Sequence, residues 1–126
     1  MSSPANCRFS ESHEWFRTEG DTVTIGITPH AAAELTDVTY VEMRPAGTTI
    51  EVGDAVGEVE SVKTTSDVYS AIAGEIVEVN DKAVAEPALL NSDPLGDGWL
   101  VQIRTTDAGP LEGLMDSASY DEKYGQ

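Results

Sequence analysis

At 126 residues the chain has the size of one domain, and a hydrophobic content of 40% is enough for one core. A formal charge of −16 excludes nucleic acid and anionic membrane surfaces as partners, because the summed field repels both. No apolar run nears the roughly 20 residues that span a bilayer, and no charged-then-apolar leader precedes Arg8 and Phe9, so a cytoplasmic monomer is expected.

In chain order, residues 1–7 read as a flexible N terminus. Cys7, the one cysteine, allows no intrachain disulfide and reads as an incidental thiol there. Trp15-Phe16 and Val23–Ile27 flank Thr18-Glu-Gly-Asp21, which predicts a hairpin over residues 8–27. Thr28 followed by Pro29 is an N-cap with proline at the first helical position, and Ala31, Ala32, Ala33 and Leu35 extend it to about two turns. Alternation over Val38–Met43 predicts a strand that Arg44-Pro-Ala-Gly47 ends. Ile50–Val59 and Ile72–Asn80 repeat a theme, two strand pairs around one tip, each with a glycine where backbones meet closely. A mainly β sandwich or barrel follows. Glu86–Asn91 reads as a short helix, Asn91–Gly98 as a turn and Trp99–Arg104 as a strand. Ser119-Tyr-Asp-Glu122 has the pattern of a capping box opening a C-terminal helix whose tip frays. Asn91, Asp93 and Asp97 lack the spacing and terminal glutamate of a calcium loop.

Between the two repeated halves stands Lys63, one of three lysines set against 23 acidic residues. A lysine on a strand-flanked turn is how a prosthetic group is presented: the strands hold the turn, and the long stem gives reach. The amine forms a stable amide with an activated acyl group. The plainer alternative is a solvated turn lysine paired with Glu60. Such acidity with so little lysine resembles adaptation to high salt, where screening relieves self-repulsion.

Gly57-Glu-Val-Glu-Ser-Val-Lys-Thr-Thr-Ser-Asp67 resembles the lipoylation motif of the H-protein family of the glycine cleavage system. Further matches are Ser12-His-Glu-Trp15, Ile25–Thr28, Tyr40-Val-Glu42, Gly74–Asn80, Leu90-Asn91, Asp93-Pro94 and Gly98–Leu100, so the likeness runs from about residue 8 to 124. The Met-Lys-Met of biotin carriers and the Asp-Lys-Ala of 2-oxoacid dehydrogenase lipoyl domains are absent. The resemblance implies a barrel-sandwich hybrid of the lipoyl/biotinyl kind with a few short helices, one near the C terminus, and residues 8–126 as a single carrier domain with a helical tail. It implies a carrier and not an enzyme. Lipoate on Lys63 would take the aminomethyl group of glycine from a pyridoxal-phosphate glycine decarboxylase (P protein) to a tetrahydrofolate-dependent aminomethyltransferase (T protein). A dihydrolipoyl dehydrogenase (L protein) would reoxidise it, and a lipoate-attaching enzyme would install it.

By the same resemblance, Glu60 and Asp67 flank the attachment point, and Ser12, Glu14 and Asp67 form a cleft that berths the loaded arm. Glu34, Thr36 and Ala71 depart from the family pattern, and Glu34 reads as a surface acid in preference to a third carboxylate near the amine of the loaded arm. His13 and His30, with Glu14 as an imaginable third ligand, read as structural, so no metal is expected. Trp15, Trp99 and Tyr40 read as core or partly buried anchors. Two other functions stay open: an H-like relay of lipoyl to other acceptors, and an unmodified binding module on the same scaffold.

Overall fold

The computed structural model describes residues 7–124. Its strands are β1 (Cys7–Phe9), β2 (Glu14–Glu19), β3 (Thr22–Ile27), β4 (Val38–Met43), β5 (Thr49–Ile50), β6 (Ala55–Ser61), β7 (Thr65–Tyr69), β8 (Gly74–Val79) and β9 (Val101–Arg104). The helices are α1 (Pro29–Leu35), α2 (Asp81–Ala85), α3 (Leu89–Ser92) and α4 (Ser117–Tyr124), with a 3₁₀ turn at Gly109–Gly113. Six strands form one sheet in the order β1-β2-β3-β9-β8-β5, and three form a second in the order β4-β6-β7. This two-sheet, mainly β architecture with few helices is the expected barrel-sandwich hybrid.

Period-two alternation decides where side chains go. Along β2, Phe16 joins the core between the sheets, whereas its neighbour Trp15 joins a second cluster with Cys7, Phe9 and Tyr120. Val41, Val59 and Val68 of the small sheet meet Ile25, Ile76 and Ile103 of the large one. Each such side chain contributes roughly 1.5–3 kcal/mol on burial. The two glycines of the repeated halves stand where strands cross: a Cβ on Gly57 would lie 2.3 Å from the Glu42 carbonyl oxygen, and one on Gly74 2.3 Å from that of Arg104. Both therefore act as the repeat predicts.

The hairpin, the capped α1 and the strand over Val38–Met43 form where the sequence places them. Thr28 Oγ1 accepts the Ala31 N–H at 3.2 Å. Four expectations are corrected. Cys7 is no frayed residue: it pairs with Arg17 in β1 and is 3% exposed, so the folded domain begins at or before it. Residues 1–6, the rest of the predicted flexible terminus, lie outside the described residues, as does the predicted fraying tip at 125–126. The C-terminal helix starts at Ser117 and not at Ser119, because Asp116 Oδ1 accepts the Ser119 N–H at 2.8 Å and caps it. That backbone N–H holds the Asp116 carboxyl below the usual range. The helix predicted over Glu86–Asn91 spans Leu89–Ser92, and α2 precedes it unannounced. Tyr40 is 45% exposed on the outer face of β4, because Val41 takes the inward position.

Candidate functional site

The chain between β6 and β7 turns through Ser61-Val-Lys-Thr64, and Lys63 is exposed at its tip. Ser61 N–H donates to the Thr64 carbonyl at 2.8 Å, closing the turn. Ser61 Oγ accepts the N–H groups of Lys63 and Thr64, each at 3.1 Å. One short polar side chain thus satisfies both donors at the tip, which leaves the lysine stem free. Its Nζ lies 3.4 Å from the Glu34 carbonyl oxygen. Among the described residues no carboxylate comes within 4.0 Å of it, so the pairing with Glu60 that the plainer alternative requires is not made. Glu60 pairs in register with Tyr40 and Thr65 and takes no part in the neighbouring cleft.

That cleft, of ≈ 250 Å³, lies beside the tip. Ser12, Glu14, Glu34 and Asp67 give it carboxylates and a hydroxyl, while Ile27, Leu35, Val59 and Val68 line it with apolar surface. The three predicted berth residues are therefore brought together, from β7 and from the start of β2 and the turn before it. Glu34, which the sequence reads as a surface acid in preference to a third carboxylate near the amine, is the fourth. Thr64 also lines the cleft, so the lysine turn forms part of its rim.

The carboxylates differ in surroundings. Glu14 is 2% exposed, and its Oε1 accepts hydrogen bonds from Ser10 and from Ser12 Oγ, the latter at 2.6 Å. Its Oε2 accepts the backbone N–H of Tyr69 at 3.0 Å. An ionised carboxylate has about four acceptor sites, so these three bonds leave one for a cation in the cleft. Because β2 belongs to the large sheet and Tyr69 ends β7 of the small one, Glu14 also ties the two sheets together at the cleft. Asp67 is exposed, and its Oδ2 accepts a hydrogen bond from the Tyr69 hydroxyl at 3.3 Å. Its negative charge pushes the Tyr69 phenol above its ordinary range.

Comparison with known proteins decides what this arrangement belongs to. The family described as Glycine cleavage H-protein matches residues 7–126. The chain belongs to the glycine cleavage H-protein family. It is 47% identical over 123 residues to the glycine cleavage system H protein of Chromobacterium violaceum, covering 97% of this chain and 96% of that one. The H protein of Thermus thermophilus is likewise 47% identical, over 122 residues, with 97% and 95% covered. In three dimensions, the crystal structure of the H protein from Mycobacterium marinum superimposes with a TM-score of 0.88 at 36% identity, covering 98% of this chain and all of that one.

Beyond the motif residues, this H-protein family member shows groups that sequence reasoning passed over. Ser10 bonds Glu14 across a turn, and the Tyr69 N–H reaches the same carboxylate from 55 residues away. Neither bond has a sequence signal. His13 and His30, set apart as structural, have ring centroids 4.4 Å apart, and the acid beside them is Glu34 rather than Glu14. No helix among the described residues is long and apolar enough to cross a membrane.

Proposed function

We propose that Lys63 carries a lipoyl group in amide linkage, and that the chain shuttles the aminomethyl group of glycine among the P, T and L proteins of the cleavage system. The observation that carries this reading is an exposed lysine, free of any carboxylate partner among the described residues, next to Thr64 on the rim of a cleft with acidic and apolar walls. An apolar arm with a cationic end fits both kinds of wall. When attached, lipoyl supplies a disulfide that accepts the aminomethyl carbon and yields a dithiol for reoxidation.

The chain's own part is positional. Ser61 holds the turn, and the Lys63 stem spans from tip to cleft. Glu14, Ser12 and Asp67 offer acceptors to an ammonium at the far end of the arm, each hydrogen bond to charge being worth about 1.5–3 kcal/mol. Such strength docks the arm and still permits release to a partner. Ile27, Leu35, Val59 and Val68 line the cleft with apolar surface that would exclude water from a docked arm. As a member of this family the chain is a carrier subunit and performs no catalysis itself; the partners make and break the bonds. A cytoplasmic setting and a lipoate-attaching enzyme that reads the folded turn belong to the same proposal.

Intact-mass analysis of protein purified from its own source tests it. One lipoyl adduct, mapped by peptide sequencing to Lys63, is the expected result. An unmodified lysine in cells that hold a lipoate-attaching enzyme would refute it.

A further inference from the structure

The rim of the cleft holds a cluster that arm docking does not use. His13, from the turn before β2, and His30 and Glu34, one turn apart on α1, bring one donor atom each to within 4.8 Å of one another. His30 Nε2 and Glu34 Oε1 are 3.5 Å apart. Two ligands at about 2.1 Å from a tetrahedral ion stand about 3.4 Å from each other, so this pair already has the spacing of a chelate. Glu34 is well exposed, and its side chain has room to adjust toward the third donor.

Hydrogen bonding decides which nitrogen His13 offers. Tyr120 gives its hydroxyl proton to Thr28 Oγ1 at 2.8 Å, so it can only accept from His13 Nδ1, 2.9 Å away. The proton therefore sits on Nδ1, and Nε2 keeps the lone pair that a metal needs. A donor-oriented imidazole of this kind is how metal-binding histidines are held.

We infer that His13 Nε2, His30 and Glu34 form a binding site for a divalent transition-metal ion of borderline softness, the Zn²⁺ class, with a fourth position open to water. Two imidazoles and one carboxylate suit that class, whereas Mg²⁺ and Ca²⁺ require oxygen ligands throughout. Because His13 and Glu34 also line the cleft, the ion sits on its edge and joins α1 to the turn before β2. The net charge of −16 raises the local concentration of any cation, so the test must separate this site from scattered surface carboxylates.

The full chain, made without lipoate and stripped by chelator, is titrated with Zn²⁺ while the imidazole nitrogens are followed by ¹⁵N NMR. One equivalent should shift His13 Nε2 and a His30 nitrogen together, and Co²⁺ should give the visible spectrum of a tetrahedral site. His30→Ala should abolish both signals without lowering the melting temperature of the metal-free protein. Tyr120→Phe, which removes the acceptor that orients His13, should weaken binding about 10–100-fold. Unmoved imidazoles, wild-type affinity in His30→Ala, or an intense thiolate band pointing to Cys7 would each overturn the assignment.

Discussion

The lysine tip and the buried end of the cleft lie side by side and are built on opposite plans. At the tip every side chain from Val62 to Asp67 is exposed, and a single hydroxyl, that of Ser61, holds the backbone. At the buried end, Glu14 is enclosed, accepts three hydrogen bonds and links two sheets. On the proposed function, the lysine that would bear a travelling arm is placed where nothing else depends on it. The carboxylate that would receive the arm is placed where much of the structure does. Substitutions at the two places should therefore separate function from stability.

Lys63→Arg is the sharpest break. Arginine keeps the charge and length but has no amine that can form the amide. Glycine cleavage in the reconstituted system should fall to background and the adduct should vanish, with an unchanged urea midpoint. A loss of stability equal to that of a core variant would show that the tip is not structurally idle.

Glu14→Ala should do the reverse in kind. It strands the Tyr69 N–H and two serine hydroxyls and removes a charged acceptor, at a cost of about 3 kcal/mol. Urea unfolding reads that directly, and Lys63 should still accept lipoate in the folded fraction because its turn is closed by Ser61 and the hydrogen bonds of Glu14 go to Ser10, Ser12 and Tyr69. If the variant unfolds below 1 kcal/mol of loss, the carboxylate is a docking group and not a tie between sheets.

What the sequence made legible follows the same division. The tip is local: two strands, Gly57 and a serine-bearing turn all lie within residues 55–69, so Lys63 and the strand pair stand out from pattern alone. The capped start of α1 is local too. The rest is long-range. The Glu14–Tyr69 bond spans 55 residues and the Tyr120–Thr28 bond spans 92, and no periodicity encodes either. Cys7 looks frayed only until β2 and Tyr120 close over it. Glu34 looks like any surface acid until α1 folds its exposed face toward the lysine turn. Resemblance to a family placed Ser12, Glu14 and Asp67 together, which residue spacing by itself could not.

A smaller effect is expected at the end of α1, between the two regions. Thr36 has φ +62°, a left-handed setting that a β-branched residue adopts at a cost of order 1–3 kcal/mol. Thr36→Gly removes that strain but frees the unfolded chain, so a net gain of about 1 kcal/mol is expected in thermal unfolding. Because α1 carries Glu34 and His30 toward the cleft, loss of stability would show instead that the threonine hydroxyl secures the helix end.

The smallest effect concerns a row of acids across the lysine hairpin. Glu42 lies opposite Glu58 across β4 and β6, and Glu58 opposite Asp67 across β6 and β7, so three carboxylates stand in one row. Like charges directly opposite in a sheet cost roughly 0.2–1 kcal/mol per pair. Glu58→Gln relieves both pairs and should stabilise the protein in dilute buffer. In about 1 M salt, where charges are screened beyond roughly 3 Å, the gain should vanish. Glu14, shielded from solvent and held by hydrogen bonds, should show no such dependence on salt. The contrast bears on the acidity of the whole chain. If the row is tolerated because the protein works in concentrated salt, then the wild type should gain stability with salt while Glu58→Gln gains less. Equal salt response in both proteins would mean that the hairpin's acids do not set it, and the high-salt reading of the −16 charge would lose its best-placed physical support.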